Sequence, residues 1–187
     1  MSVDRLPLPD DSELDERQRA AVATIAAGPR GALIGPFVPL LRAPELMDRL
    51  QRVGSYLRYE SALAPAVFEL AVLLVARAFD QQFEWTHHRP LAEAAGVAAS
   101  TVHAVGAGER PPNLPADQDA GYRVVAELLA DRRVSDQTWA VALQQFGDAA
   151  TIELVTTVGY YSTLALVMNA AHTPVPAGAG PLLPERS

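Results

Sequence analysis

The stretch "PAVFELAVLLVARAFDQQ", residues 65 to 82, decides the reading of this chain. Val67, Leu70, Leu74 and Ala78 form one helical face, but Phe68, Ala71, Val72 and Val75 make the other faces apolar too. A helix that is apolar nearly all round must be covered on every side. The proline at position 65 suits its first turn, where a missing N–H costs nothing. One residue does not belong in such a helix. Glu69 is expensive to bury as an anion without a partner.

Working outward, the rest of the chain also reads as helix. The 187 residues suit a single domain, 49% are apolar and 20% are charged, as in an ordinary soluble globule. Alanine and leucine dominate, and no segment shows a period-2 alternation. The fold class is therefore all-α. "DDSELDERQRAAVATIAAG" reads as a first helix, with Ser12 and Asp15 as a capping box and Gly28 as the stop. Residues 29 to 44 read as an ordered apolar loop. Pro44 opens a helix whose Leu46, Leu50, Val53 and Leu57 form one stripe. Pro90 predicts a kink or break near His88 and Arg89. Further helices are expected near 100–105, 116–132, 136–146 (capped by Ser135) and 149–171 (capped by Asp148). The helical domain thus spans 1–172, and the Pro/Gly-rich residues 173–187 form an arm or a disordered tail.

Composition also narrows the function. A net charge of −7 and no run of Lys and Arg argue against nucleic acid as a partner. The absence of cysteine removes disulfides, thiolate metal sites and thiol redox chemistry. The acidic, Pro-containing N-terminus is not a signal peptide, and a cytoplasmic location is expected. Residues 154 to 171 are uncharged and near the lower length of a membrane span. Their threonines, tyrosines and Asn169 favour a buried core helix, so no membrane association is expected.

The chemistry gathers in "QQFEWTHHRP", residues 81 to 90. Glu84 and His88 are four apart on one helix face, so a carboxylate and an imidazole can touch. Such a pair can act as a general acid or base. From these two residues alone, a solvated surface pair is the simpler reading. Glu69 adds weight to the other one. It either pairs with an arginine such as Arg58 or Arg77, or faces His88 and Glu84 in an apolar pocket. Residue chemistry leaves those two readings even. His87 is an alternative to His88, whereas His103 and His172 read as structural. A metal site built on Glu69, Glu84 and a histidine ranks lower, because no metal motif is present. Trp85 and the "GYY" at 159–161 suit packing, with one tyrosine hydroxyl able to reach the site. Glu153 reads as an end-of-helix salt-bridge residue.

These residues form a pattern. "YLRYESALAPAVFELAVLLVARAFDQQFEWTHHRPLAEAAGV", residues 56 to 97, resembles the core of the carboxymuconolactone decarboxylase family, which shares the alkylhydroperoxidase D-like helical bundle. The resemblance rests on Glu69 in its apolar helix, on "FEW" with a histidine four residues after Glu84, and on "AxxAGV" at 92–97. "VSDQTWAVALQQFGDAATIELVTTVGYYSTLALVMNA" resembles the later segment of the family, so the likeness spans roughly residues 33 to 171.

In the peroxidase branch of that fold a glutamate, a CxxC pair and a histidine form a proton relay. The resemblance puts Glu69 and His88 at the glutamate and histidine positions, and Gln81 and Glu84 where the cysteines would be. It therefore argues against thiol peroxidase activity. It implies instead a cysteine-free, cofactor-free lyase of the decarboxylase type, acting on a small organic acid or lactone. Glu69, Glu84 and His88 would be catalytic, Arg58, Trp85, His87 and Tyr160 would bind substrate, and no metal would be needed. The alternatives are a hydrolase or isomerase in the same pocket, or a non-catalytic metabolite-binding protein. Members of the family assemble as trimers or hexamers, so a homo-oligomer is expected.

Overall fold

The computed structural model describes residues 3–185. Among these the chain is all-helical, with eight helices and no strand. The chain divides into two compact units, one of residues 1–60 and 166–174, the other of residues 61–165 and 175–187.

The first unit contains α1 (Glu16–Ala27), α2 (Phe37–Leu40) and α3 (Pro44–Tyr59). Asp15, not Ser12, caps α1: its carboxylate accepts the Gln18 N–H while the Gln18 side chain accepts the Asp15 N–H. The shift arises because the box needs a Glu or Gln three residues after the cap, and Gln18 stands at that distance from Asp15. Gly28 ends the helix as expected. The apolar loop after it folds its own short helix, α2, with Phe37, Leu40 and Leu41 buried. Pro44 opens α3. Its buried seam is Met47, Gly54 and Leu57, while Leu46 and Val53 are exposed. The apolar stripe expected from spacing is therefore rotated. Met47 and Gly54 lie seven apart on the buried face, and a glycine carries no hydrophobic signal.

The second unit contains α4 (Pro65–Ala78), α5 (Gln82–Ala94), α6 (Ala99–Ala107), α7 (Ala116–Asp131) and residues 136–165 of α8 (Asp136–Ala171). Helix α4 packs against α5, α6 and α7. Ten of its residues are buried, from Val67 to Arg77 with only Leu74 half-covered. That is the outcome its all-round apolar sequence requires. The α4–α7 approach is close: a Cβ on Gly121 would lie 2.8 Å from a Val67 methyl.

Helix α5 runs unbroken through Pro90. The expected break does not form: the loss of one N–H at Pro90 is outweighed by the packing of the buried face of the helix, which includes Trp85, His88 and Ala92. Helix α8 has its break at Gly147, whose φ of 77° and ψ of 175° suit glycine alone. The non-helical residue falls one position before Asp148, and the two flanking segments match the expected ones. Ser135 accepts the Thr138 N–H, as its capping role requires. Glu127 of α7 accepts hydrogen bonds from the Ser135 N–H and from the Ser135 and Thr138 hydroxyls, joining α7 to the start of α8. By length and hydropathy α8 could cross a membrane, and 56% of its most apolar window is buried within the protein.

The C-terminal segment is an arm that docks. Leu183 joins the core cluster of Leu70, Leu73, Trp85 and Val105.

The tight α4–α7 contact gives a direct expectation. Gly121→Ala costs about 1–3 kcal/mol by overpacking. Val67→Ala in the same chain recovers part of that loss, as read by urea unfolding of the single and double variants.

Candidate functional site

Both ring nitrogens of His88 face carboxylates. Nδ1 lies 2.7 Å from Glu69 Oε2 on α4, and Nε2 lies 3.2 Å from Glu84 Oε2 on α5. Glu69 therefore meets the imidazole and not an arginine. Arg77 is engaged by Asp80 and by the Pro184 carbonyl. All three groups are nearly closed to solvent, with exposures of 6% for Glu69, 3% for Glu84 and 2% for His88.

Local structure explains the positions. Glu84 and His88 are one turn apart on α5. Glu84 also sits in the first turn, where the helix dipole favours a negative charge. The Gln81 carboxamide caps that turn by accepting the Phe83 N–H at 2.7 Å. Glu69 comes from a helix that has no exposed face to put it on, and the imidazole is its compensation.

Two carboxylates on opposite edges of one ring are both satisfied when the ring donates from both nitrogens, which is the imidazolium form. Burial works against that charge. The hydrogen bonds of Glu69 and Glu84, with their negative charge, outweigh it, so the His88 pKa stands above its ordinary value. The group is a line of three protonable sites, carboxylate, imidazole and carboxylate. The carboxylates flank the ring and do not converge on one point, as a metal would need. Among the described residues no set of three or more His, Asp or Glu side chains is arranged to hold a metal ion.

Aromatic rings enclose the group. The Tyr161 ring meets His88 edge-on at 5.2 Å and Phe68 at 5.8 Å. His87 stacks on Phe83 and presents its edge to His88 at 5.1 Å. Tyr160, the tyrosine expected at the site, touches it through Tyr161, its ring 5.3 Å away. The residue that spacing did not separate is thus Tyr161. Both tyrosines are buried, and the sequence alone carries no signal that ranks one above the other.

The other expected binding residues lie elsewhere. The Trp85 indole packs in the core cluster, where a Cβ on Gly106 would come within 3.1 Å of its ring. Arg58 lies in the first unit with its guanidinium over the Tyr59 ring, at 5.7 Å. Glu153 accepts the Ala62 N–H at 2.9 Å and so ties α8 to the turn before α4.

His88 dictates a pH dependence. Its pKa is raised in the folded state, so its stabilising contribution is complete below the ordinary value of 6.5 and fades as pH rises through the raised value. The gap in urea midpoint between the native protein and His88→Gln should therefore be widest near about pH 6 and shrink at higher pH. Equal gaps at every pH would contradict the charged-ring arrangement.

No model of a known protein family matches the chain, and no curated protein matches it.

Proposed function

We propose that the chain is a cofactor-free acid–base enzyme of the carboxymuconolactone decarboxylase type, with an alkylhydroperoxidase D-like bundle. In this reading it decarboxylates a small organic acid or lactone. One observation carries it: a buried imidazole bonded at both nitrogens by carboxylates from two different helices. Charged groups of this kind are costly in a core, and sites that move protons are where such arrangements are kept.

The chemistry needs no resident cofactor when the carbon that loses its carboxylate is joined through a C=C bond to a lactone carbonyl. The C–C bond to the carboxylate breaks, carbon dioxide leaves, and the electron pair moves through the C=C bond onto the carbonyl oxygen as a dienolate. A proton then goes to carbon. His88 is the general acid. Glu69, through the shorter bond to Nδ1, orients the ring. The longer Nε2–Glu84 bond is the one that opens to release a proton towards substrate. Tyr161 and His87 pack their rings against the imidazole. The substrate is a small molecule. The same acid–base group would serve a hydrolase or an isomerase. A cytoplasmic homo-oligomer, trimeric or hexameric, completes the reading, with neither nucleic acid nor membrane as partner.

The closure of the three groups from solvent favours a second reading. A fully covered ion network can serve as the polar lock of a non-catalytic, metabolite-binding helical protein.

Turnover of candidate lactones separates the two. His88→Ala and Glu69→Gln each lower turnover by about 10²- to 10⁴-fold in an enzyme that uses this proton donor. Unchanged turnover in both variants on an identified substrate would remove the catalytic assignment.

A further inference from the structure

The C-terminal arm ends in a built contact. The Gln82 carboxamide accepts the Leu183 N–H at 2.8 Å and donates to the Leu183 carbonyl at 3.0 Å. Arg77 donates to the Pro184 carbonyl at 2.6 Å. The Leu183 side chain is 3% exposed, whereas Leu182 beside it is 60% exposed. Gly106 borders this contact: a Cβ there would crowd the Trp85 ring at 3.1 Å and lie in ordinary contact with the Pro184 ring at 3.6 Å. The chain leading to it, residues 176 to 182, is exposed and without regular structure. One short segment is therefore read by its backbone and anchored by one apolar side chain, in the manner of a bound peptide.

Its place on α5 gives the contact a consequence. Gln82 is the first residue of the helix, and Glu84 stands two positions later. A first turn has N–H groups without partners inside the helix, so it frays unless held. Here the Gln81 side chain holds one N–H, the Thr86 hydroxyl donates to the Gln82 carbonyl at 3.0 Å, and the arm holds the Gln82 side chain. We propose that the Leu183–Pro184 segment is a positioning strap, whose seating on Gln82 holds the first turn of α5 so that Glu84 stays against His88. The strap touches none of the three groups and acts through the helix that carries two of them. It rests on reading Glu69, Glu84 and His88 as the proton-transfer site, and couples the Leu183–Pro184 segment to it.

The test is an NMR titration of the His88 imidazole in the full-length chain, without substrate. The charged and titratable groups facing that ring are Glu69 from α4, Glu84 and His87 from α5 and Tyr161 from α8. Leu183→Asp evicts the strap, and Leu182→Asp adds the same charge on the exposed neighbour. Loosening Glu84 removes one of the two anions that raise the His88 pKa, so Leu183→Asp lowers it by about half a unit or more. Amide exchange over residues 82–85 quickens alongside. Leu182→Asp changes neither. Should Leu183→Asp not fold, Leu183→Ala is read against the same criteria. A His88 titration unchanged by loss of the strap, or shifted equally by both Asp variants, overturns the proposal. Because the readout needs no turnover, a strap effect in a protein that decarboxylates nothing would sink the decarboxylase reading and leave the coupling standing.

Discussion

A single imidazole bridging carboxylates from α4 and α5 is the constraint around which the second unit is arranged. Helix α4 is covered nearly all round, so any acid on it must find its partner inside the protein. Glu69 finds His88, and His88 needs a second acceptor for its other N–H, which Glu84 provides one turn earlier. Removing any one member would leave a buried charge or donor unmatched, a far larger penalty than the net worth of the bonds themselves. The three residues therefore stand or fall together.

Packing serves that arrangement. Tyr161 closes one side of the imidazole edge-to-face, and Phe68 backs Tyr161 in the same way, which fills space without competing for the protons of the ring. Small residues permit the close helix approaches. Gly121 lets α7 lie against Val67 on the helix that carries Glu69. Gly106 gives room to the Trp85 indole on the helix that carries Glu84 and His88. The site residues are thus held by the backbones of elements whose opposite faces are locked into the core. This is the kind of support that a proton-transfer group needs to keep its geometry.

Much of this was legible from residues in order. The i,i+4 spacing of Glu84 and His88 predicts their contact, because helical geometry alone brings such side chains together. The prolines at 44 and 65 mark true helix starts, since a fixed φ and a missing N–H suit that position. Other readings failed where the signal was not a local one. The α3 stripe was misplaced because two of the three residues of its buried seam are a methionine and a glycine, while exposed leucine and valine carried the pattern. Pro90 did not break α5, because tertiary packing of the buried face of that helix outweighs the one hydrogen bond its missing N–H forfeits. Tyr160 and Tyr161 are adjacent and equally buried in character, so only the rotation of α8 selects which ring meets His88.

By itself the sequence determined that the chain is helical, that α4 must be buried, and that a carboxylate and an imidazole share one face of α5. These follow from periodicity and from steric rules that act within a few residues. Tertiary structure alone decided that Glu69 joins that pair and not an arginine, that the indole of Trp85 belongs to the core, and that the terminal arm grips the start of α5. Each of those depends on contacts between residues 19 to 101 positions apart, and the choice among such partners is made by how whole helices pack.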